Sequence, residues 1–406
     1  MRVVHKSVGV GCAGQDGFWI VWGGWLNKAS WNSSIGFDPG ESNRQMSCKN
    51  RDSGLELFRI LLMFGIVLLH VCGQGKYKCV WPTNLLRGAV VGFVFISGYF
   101  GIRFSLSKLL GLYSLAIFYC LLEPIIGGVL WGETGGYFDA VLDAWRAKEG
   151  YWFLHAYAIL MTLSPIVEKV FDHKREDKEQ CLIEIMPFLF VVFIWSYMTG
   201  FPSLSRIVPQ PLGITKSESV IVLLGIYLAA RAIRFYGVIE LVSKRVAIIG
   251  FLILAFVVSI SKEYLSTYAC PIQFVAATLG FCVFYGIKLD HRFEKIVLWV
   301  STSMFGVYLI HTMLYFPGMN NKVYSLINAW RDPLIECGVD KYIACLIVAI
   351  AIFASSIIID ALRRLMLNPF KSYIYRLNSV LDSLPSRLAN KIFMMFNHER
   401  SFGKRD

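Results

Sequence analysis

Apolar residues fall along this chain in long blocks, not at the one-face spacing of a helix lying on a soluble protein. A run of roughly 20 apolar residues is what a helix needs to cross a hydrocarbon core. The blocks predict ten such spans, at about 55–73, 86–102, 109–130, 152–170, 183–200, 218–233, 246–261, 271–287, 297–316 and 342–361. The expected class is therefore all-α: a polytopic integral membrane protein with about ten transmembrane helices. The second stretch is short and carries glycines, and the sixth has Arg231 near its end.

Residues 1–45 differ in kind. They are rich in Gly, Ser, Asn and Trp, and the apolar stretch from Phe18 to Leu26 is too short to span. The charged start, long apolar run and small-residue cleavage site of a signal peptide are missing there. Met46, followed by Lys49, Arg51 and the first long apolar run, is the expected true start. On that reading 1–45 is a non-native extension, the alternative being a disordered cytoplasmic arm; 46–361 is the transmembrane domain and 362–406 a basic cytoplasmic tail.

Composition agrees with the pattern. Only 17% of residues are charged and 56% are hydrophobic, against about 25% and 45–50% in a soluble domain. The net charge of +12 raises nucleic acid as a partner, but the basic residues form no single patch. They sit in the short connections between blocks. With the start of the first span placed in the cytoplasm, 25 Lys and Arg fall inside and 11 outside, the positive-inside bias. Both termini are then cytoplasmic and the host is the cell (inner) membrane. No nucleic-acid partner is expected, and membrane lipids are. The ten cysteines lack paired metal-ligand spacing, so neither a disulfide framework nor a metal site is expected. No repeat relates the two halves, which counts against a carrier built from paired repeats.

Ionisable side chains inside spans are costly and point to function by default. The first span holds Glu56, Arg59 and His70. Eleven residues separate Arg59 from His70, so they stand ~16 Å apart along an ideal helix and about 20° apart around it. They share a face, with a cation at the cytoplasmic boundary and an imidazole near mid-membrane. Taken singly, Arg59 reads as an interfacial anchor beside Glu56, and His70 as an interhelical hydrogen-bonding group. His311 in the ninth span and His155 at the outer end of the fourth lie at similar depth, so three histidines are expected to approach one another. Imidazole is the side chain suited to taking and returning a proton near neutral pH; for His155 the plain alternative is an interfacial structural role. Glu123, just before Pro124 in the third span, is a further acid, placed either to orient a histidine or to hydrogen-bond a neighbouring helix.

The segment LELFRILLMFGIVLLH resembles the opening of the membrane acyltransferase-3 family, whose first helix carries Arg or Lys, ten residues, then His. FVFISGYF (93–100) is similar to that family's second-helix signature, YWFLHAYAILMTLSP to its "WF…Y…L..SP" segment, and STSMFGVYLIH to its late "fGIYLIH" segment. The four occur in family order over residues 55–361. The resemblance implies a stand-alone enzyme, without an appended hydrolase domain, that moves an acyl group onto a carbohydrate. The donor would be acetyl-CoA or another acyl-CoA acting as co-substrate, with no permanently bound cofactor. The acceptor would be a polysaccharide or lipid-linked glycan of the cell envelope. By the same resemblance Arg59 and His70 match the family's key pair and His311 its late histidine. Some relatives cluster arginines after the second helix; here Arg103 and Lys108 stand there. The expected roles are then catalysis by His70, His311 and Glu123, CoA binding by Arg59, Arg103 and Lys108, and acceptor binding by His155 and Tyr157. His70 acts as general base or through an acyl-imidazole. A glycan or lipid exporter using the same bundle is the alternative from another class.

Overall fold

The computed structural model describes residues 51–73, 76–77, 79–131, 151–173, 178–199, 219–261, 265, 267–313, 322–370, 372–385 and 387. Every regular element among them is helical: α1 (Ser53–Cys72), α2 (Val80–Leu86), α3 (Gly88–Phe100), α4 (Leu106–Trp131), α5 (Trp152–His173), α6 (Lys178–Phe190), α7 (Val220–Phe235), α8 (Val238–Leu241), α9 (Lys244–Ile260), α10 (Pro271–Phe284), α11 (His291–Ser301), α12 (Met304–Met313), α13 (Lys322–Glu336) and α14 (Lys341–Leu367). A π-helical stretch, Val191–Trp195, and a last turn, Ser196–Thr199, prolong α6. The segment at 1–45 lies outside the described residues. The border expected at 361/362 falls inside α14, which runs on to Leu367.

Among the described residues, each of the ten apolar stretches falls mainly on helix. Ser53–Cys72, Pro82–Phe100, Trp152–Phe171, Glu179–Met198 and Lys341–Phe370 are long and apolar enough to cross a membrane alone. The ninth stretch differs from the single rod expected: His291–Ser301 and Met304–Thr312 meet at 44°, and together they would make a sixth. Arg364 of α14 fills the break. Its guanidinium bonds the hydroxyls of Thr302 and Ser303, the latter at 2.7 Å, and lies 3.3 Å from Asp360. A side chain inserted at a helix break explains the kink. Helix α13 falls in a stretch expected to be a connection, because its sequence is too polar to read as a span.

Side chains are sorted as a bilayer demands. Ile249, Leu252, Ile253 and Phe256 of α9 and Ile343, Leu346, Ile347 and Ile350 of α14 are exposed, whereas Glu56, Arg59, Gln273, His311, Arg331 and Asp360 are buried. Polar groups in hydrocarbon must be satisfied inside the bundle. Tyr119 and Arg363 both donate to Asp360, at 2.7 and 2.8 Å. Arg231 pairs with Glu168 at 2.5 Å, and the Tyr227 hydroxyl donates to that carboxylate while accepting from the Ile102 amide.

Helix α1 lies at the centre, packed against α2, α3, α10, α11, α12 and α14. Its start is pinned by Asp52, which accepts from the Leu55 amide at 3.1 Å and the Gly286 amide at 2.8 Å. The crossing of α3 on α7 accounts for the SGY sequence. A Cβ at Gly98 would stand 2.4 Å from the Tyr227 carbonyl oxygen, a backbone atom that cannot yield cheaply. Small residues let membrane helices approach in this way. Tyr99 meanwhile packs among Phe95, Phe281 and Tyr285. Gly98→Ala should therefore lower stability by about 1–3 kcal/mol, read as an earlier thermal unfolding in detergent; an unchanged transition would contradict this crossing.

Candidate functional site

A cavity opens beside α1, with a volume of about 1000 Å³ including its mouth. Helix α1 supplies Arg59, Met63, Ile66, Leu69 and His70 to its wall. The spacing from 59 to 63, 66 and 70 is one continuous helical face. The expected shared face of Arg59 and His70 thus exists, and the space between them is this cavity.

The other walls are aromatic. Helix α5 contributes Trp152, Phe153 and Tyr157, α12 contributes Phe305 and Tyr308, and Phe93 and Tyr268 complete the set. Trp152 stacks on Tyr268 with ring centres 5.7 Å apart, and Phe153 meets Tyr308 edge-on at 5.8 Å. Polar groups are few. Besides Arg59 and His70 they include Ser97, Tyr157, Tyr308 and Thr312. Ser97 donates to its own helix at Phe93, and its oxygen lies 3.5 Å from the Tyr157 hydroxyl. The WF-to-SP segment therefore forms an apolar wall with one hydroxyl placed in it.

At the Arg59 end, the guanidinium bonds Glu56 one turn earlier at 3.1 Å, and both side chains are buried. The second Glu56 oxygen has no hydrogen-bond partner among the described residues. One carboxylate thus balances the cation without using up its fork of donors, and a planar guanidinium can bind a further anionic or carbonyl group bidentately.

At the other end, Nδ1 of His70 lies 3.0 Å from Nε2 of His311, with the rings 5.0 Å apart. His311 Nδ1 lies 2.7 Å from the Val307 carbonyl oxygen. A carbonyl only accepts, so this nitrogen carries the proton. In a neutral ring Nε2 of His311 then bears a lone pair and accepts from His70 Nδ1–H. The network thus assigns the tautomer of His70: its Nε2 is the unprotonated nitrogen. A chain of bonds from a backbone carbonyl through one imidazole orients a second as a base.

The structure brings His70 and His311 together but gives His155 another partner, the Tyr113 hydroxyl on α4, 3.1 Å from Nδ1. The expected meeting of three histidines resolves into a pair and a separate tyrosine contact, and His155 does not line the cavity. Tyr157 does. The Glu123 side chain lies outside the described residues. Arg103 is exposed, and neither it nor Lys108 lines the cavity. Ser97, Tyr308 and Trp152 were not singled out from the sequence. Tyr308, three residues before His311, shares its helical face, and that periodicity was the available signal.

Compared with known families, residues 52–363 match the acyltransferase-3 model, described as an acyltransferase domain. No curated protein and no solved structure matches the chain. The Arg59–Glu56 pair yields a test of the site's electrostatics. Removing one partner of a buried pair strands the other charge at a cost of about 3–5 kcal/mol. Glu56→Gln, which removes the charge and keeps the shape, should accordingly lower the unfolding temperature nearly as much as Glu56→Ala does, and a wild-type transition in Glu56→Gln would show that the carboxylate does not balance Arg59.

Proposed function

The chain belongs to the acyltransferase-3 family, and from that premise we propose that it carries an acyl group, acetyl first, from cytoplasmic acyl-CoA to a glycan hydroxyl. The acceptor is a cell-envelope or exported polysaccharide, or a lipid-linked glycan, reached from the outer side of the inner membrane. The observation that carries this reading is the single cavity joining the Arg59 guanidinium to the oriented imidazole of His70.

The arrangement suits an extended donor. Arg59 and His70 are ~16 Å apart along α1, a distance the pantetheine arm of CoA can bridge. Arg59 binds the donor toward its inner end, with the basic pair Arg103 and Lys108 at the start of α4 available to the nucleotide phosphates. The aromatic walls hold the arm and exclude water, which protects the thioester from hydrolysis. Ten spans with both termini cytoplasmic belong to the same proposal, supported by the 25-to-11 distribution of basic residues.

In the transfer step, His70 Nε2 accepts the proton of the sugar hydroxyl as its oxygen attacks the thioester carbonyl. Collapse of the tetrahedral adduct breaks the C–S bond, and the departing CoA sulfur takes the proton back from Nε2. His311 keeps the ring oriented throughout, because the bond from His70 Nδ1–H strengthens when that ring becomes an imidazolium. His311 is in this sense a positioning residue, as the third member of a catalytic triad is. Tyr157 and Ser97 offer hydroxyls to the acceptor; Glu123 stays in the proposal as an acid within a span, whereas His155 bonds Tyr113 and does not line the cavity.

The test is label transfer from radiolabelled acetyl-CoA to extracted envelope glycan by purified protein. His70→Ala should lose transfer by about 10²–10⁴-fold, the usual contribution of a general base, with the protein still folded. Arg59→Ala should raise the KM for acyl-CoA. His311→Gln, which retains an acceptor for His70, should keep more activity than His311→Ala. Undiminished transfer by the His70 variant would refute the mechanism, and label held on the protein itself would replace it with an acyl-imidazole.

A further inference from the structure

Two residues beyond His70, α1 ends at Cys72, where three cysteines from separate parts of the chain converge. Cys72, Cys79 and Cys345 are buried, and their sulfurs all lie within 4.8 Å of one another. Cys79 and Cys345 are 3.7 Å apart. The loop between Cys72 and Cys79 is closed by a backbone hydrogen bond of 2.9 Å from the Cys79 amide to the Cys72 carbonyl. That bond holds two thiols near each other, and α14 brings the third across to them.

We propose that these three cysteines form a binding site for a thiophilic d¹⁰ cation, Zn2+ in the first instance. In a tetrahedral zinc–thiolate site the metal–sulfur distance is about 2.3 Å, which sets the sulfurs about 3.8 Å apart. The Cys79–Cys345 separation already has that value, far from the 2.05 Å of a disulfide bond. Soft thiolate ligands select zinc and Cu(I) over hard cations. Three protein ligands leave the fourth position for water, with the Lys341 and Tyr77 carbonyl oxygens 4.0 and 3.8 Å from the Cys79 sulfur.

Charge favours zinc. Three thiolates and Zn2+ leave one net negative charge in a buried place, which requires a counter-charge. Arg331 contributes to it: its side chain is fully buried and within hydrogen-bonding reach of Cys345, while its own carboxylate partner, Asp332, is partly exposed to solvent. The same guanidinium donates to the Val71 carbonyl at 3.0 Å and pairs with Asp332 at 2.8 Å. Arginine and metal together would tie the end of α1 to α13 and α14, directly behind the segment that carries His70. The site needs no acyl donor or acceptor, so it stands or falls apart from the transfer reaction.

The full-length protein in detergent, stripped by chelator under reducing conditions and titrated with Co2+ as a spectroscopic stand-in, provides the test. Co2+ should give a thiolate-to-metal charge-transfer band that Zn2+ displaces, saturating at about one metal per chain. Cys72→Ser, Cys79→Ser and Cys345→Ser should weaken or abolish the band, while Cys337→Ser, at an exposed cysteine outside the cluster, should leave it intact. Should the cluster variants fold poorly, alkylation of the wild type decides instead. Zinc should protect Cys72, Cys79 and Cys345 against a maleimide that labels them after chelation, with Cys337 labelled in both states. Absence of the band with all three thiols reduced, or protection that ignores zinc, would overturn the proposal. So would a disulfide between any two of the three in protein isolated without reductant.

Discussion

Helix α1 carries a cation, a carboxylate and an imidazole through the middle of an apolar bundle, and the placing of its neighbours follows from that burden. A bare charge in hydrocarbon is expensive, so Arg59 must find its counter-charge within the protein and does so on its own helix, in Glu56. His70 meets a partner across the bundle, in His311. That contact requires α12 to approach α1 at a particular height and angle. The bend between α11 and α12 provides the angle, and Arg364, wedged at the bend and held by Asp360, maintains it. The arginine of α14 and the histidine pair are thus parts of one mechanical arrangement, although no hydrogen bond joins them.

Much of this was legible in the sequence, because membrane physics leaves few options. The apolar blocks translate into helices once backbone groups have no water to bond, and the 59-to-70 spacing gives a shared face by helix geometry alone. The break at Thr302–Ser303 was not legible. The Ser-Thr-Ser run at 301–303 is a weak helix former, but propensity alone does not place a bend, and the side chain that fills the break sits sixty residues away on α14. Helix α13 was hidden for the opposite reason: its residues are too polar for a span, yet it brings Arg331 into full burial.

The histidines show where depth along a span stops being informative. His70, His155 and His311 are at similar depth, and depth alone suggested a meeting of all three. Rotation about the helix axis decides instead: α12 turns His311 toward α1, while α5 turns Tyr157 toward the cavity and His155 toward Tyr113. Tyr157 follows His155 by two residues, about 200° around a helix, so both cannot face the same space. The cysteines teach the converse. Their spacing in sequence matches no metal motif, yet chain closure between Cys72 and Cys79 and the approach of α14 bring three sulfurs together. A contact between residues 72 and 345 leaves no trace in local pattern.

The direction of the histidine hydrogen bonds links this architecture to chemistry. Had His311 accepted nothing from α1, the proton on His70 would be free to sit on either nitrogen, and the basic lone pair would face the cavity only part of the time. The Val307 carbonyl removes that freedom, because it forces the proton of His311 onto Nδ1 and so makes Nε2 an acceptor. The preference is transmitted through one ring to the next, and His70 is left with Nε2 as its basic nitrogen. The acceptor at the end of the chain is a neutral carbonyl, whereas an aspartate would hold the imidazolium more strongly. Such a base is oriented well and stabilised modestly, which suits the proposed thioester donor, whose leaving group departs as a thiolate without prior protonation. In the proposed transfer the apolar wall then has a double effect: it excludes the water that would compete for the acyl group, and it leaves the acceptor hydroxyl and His70 as the reacting partners. Orientation by hydrogen bonds and exclusion of water thus do together what a stronger base in an open site would do at the cost of hydrolysis.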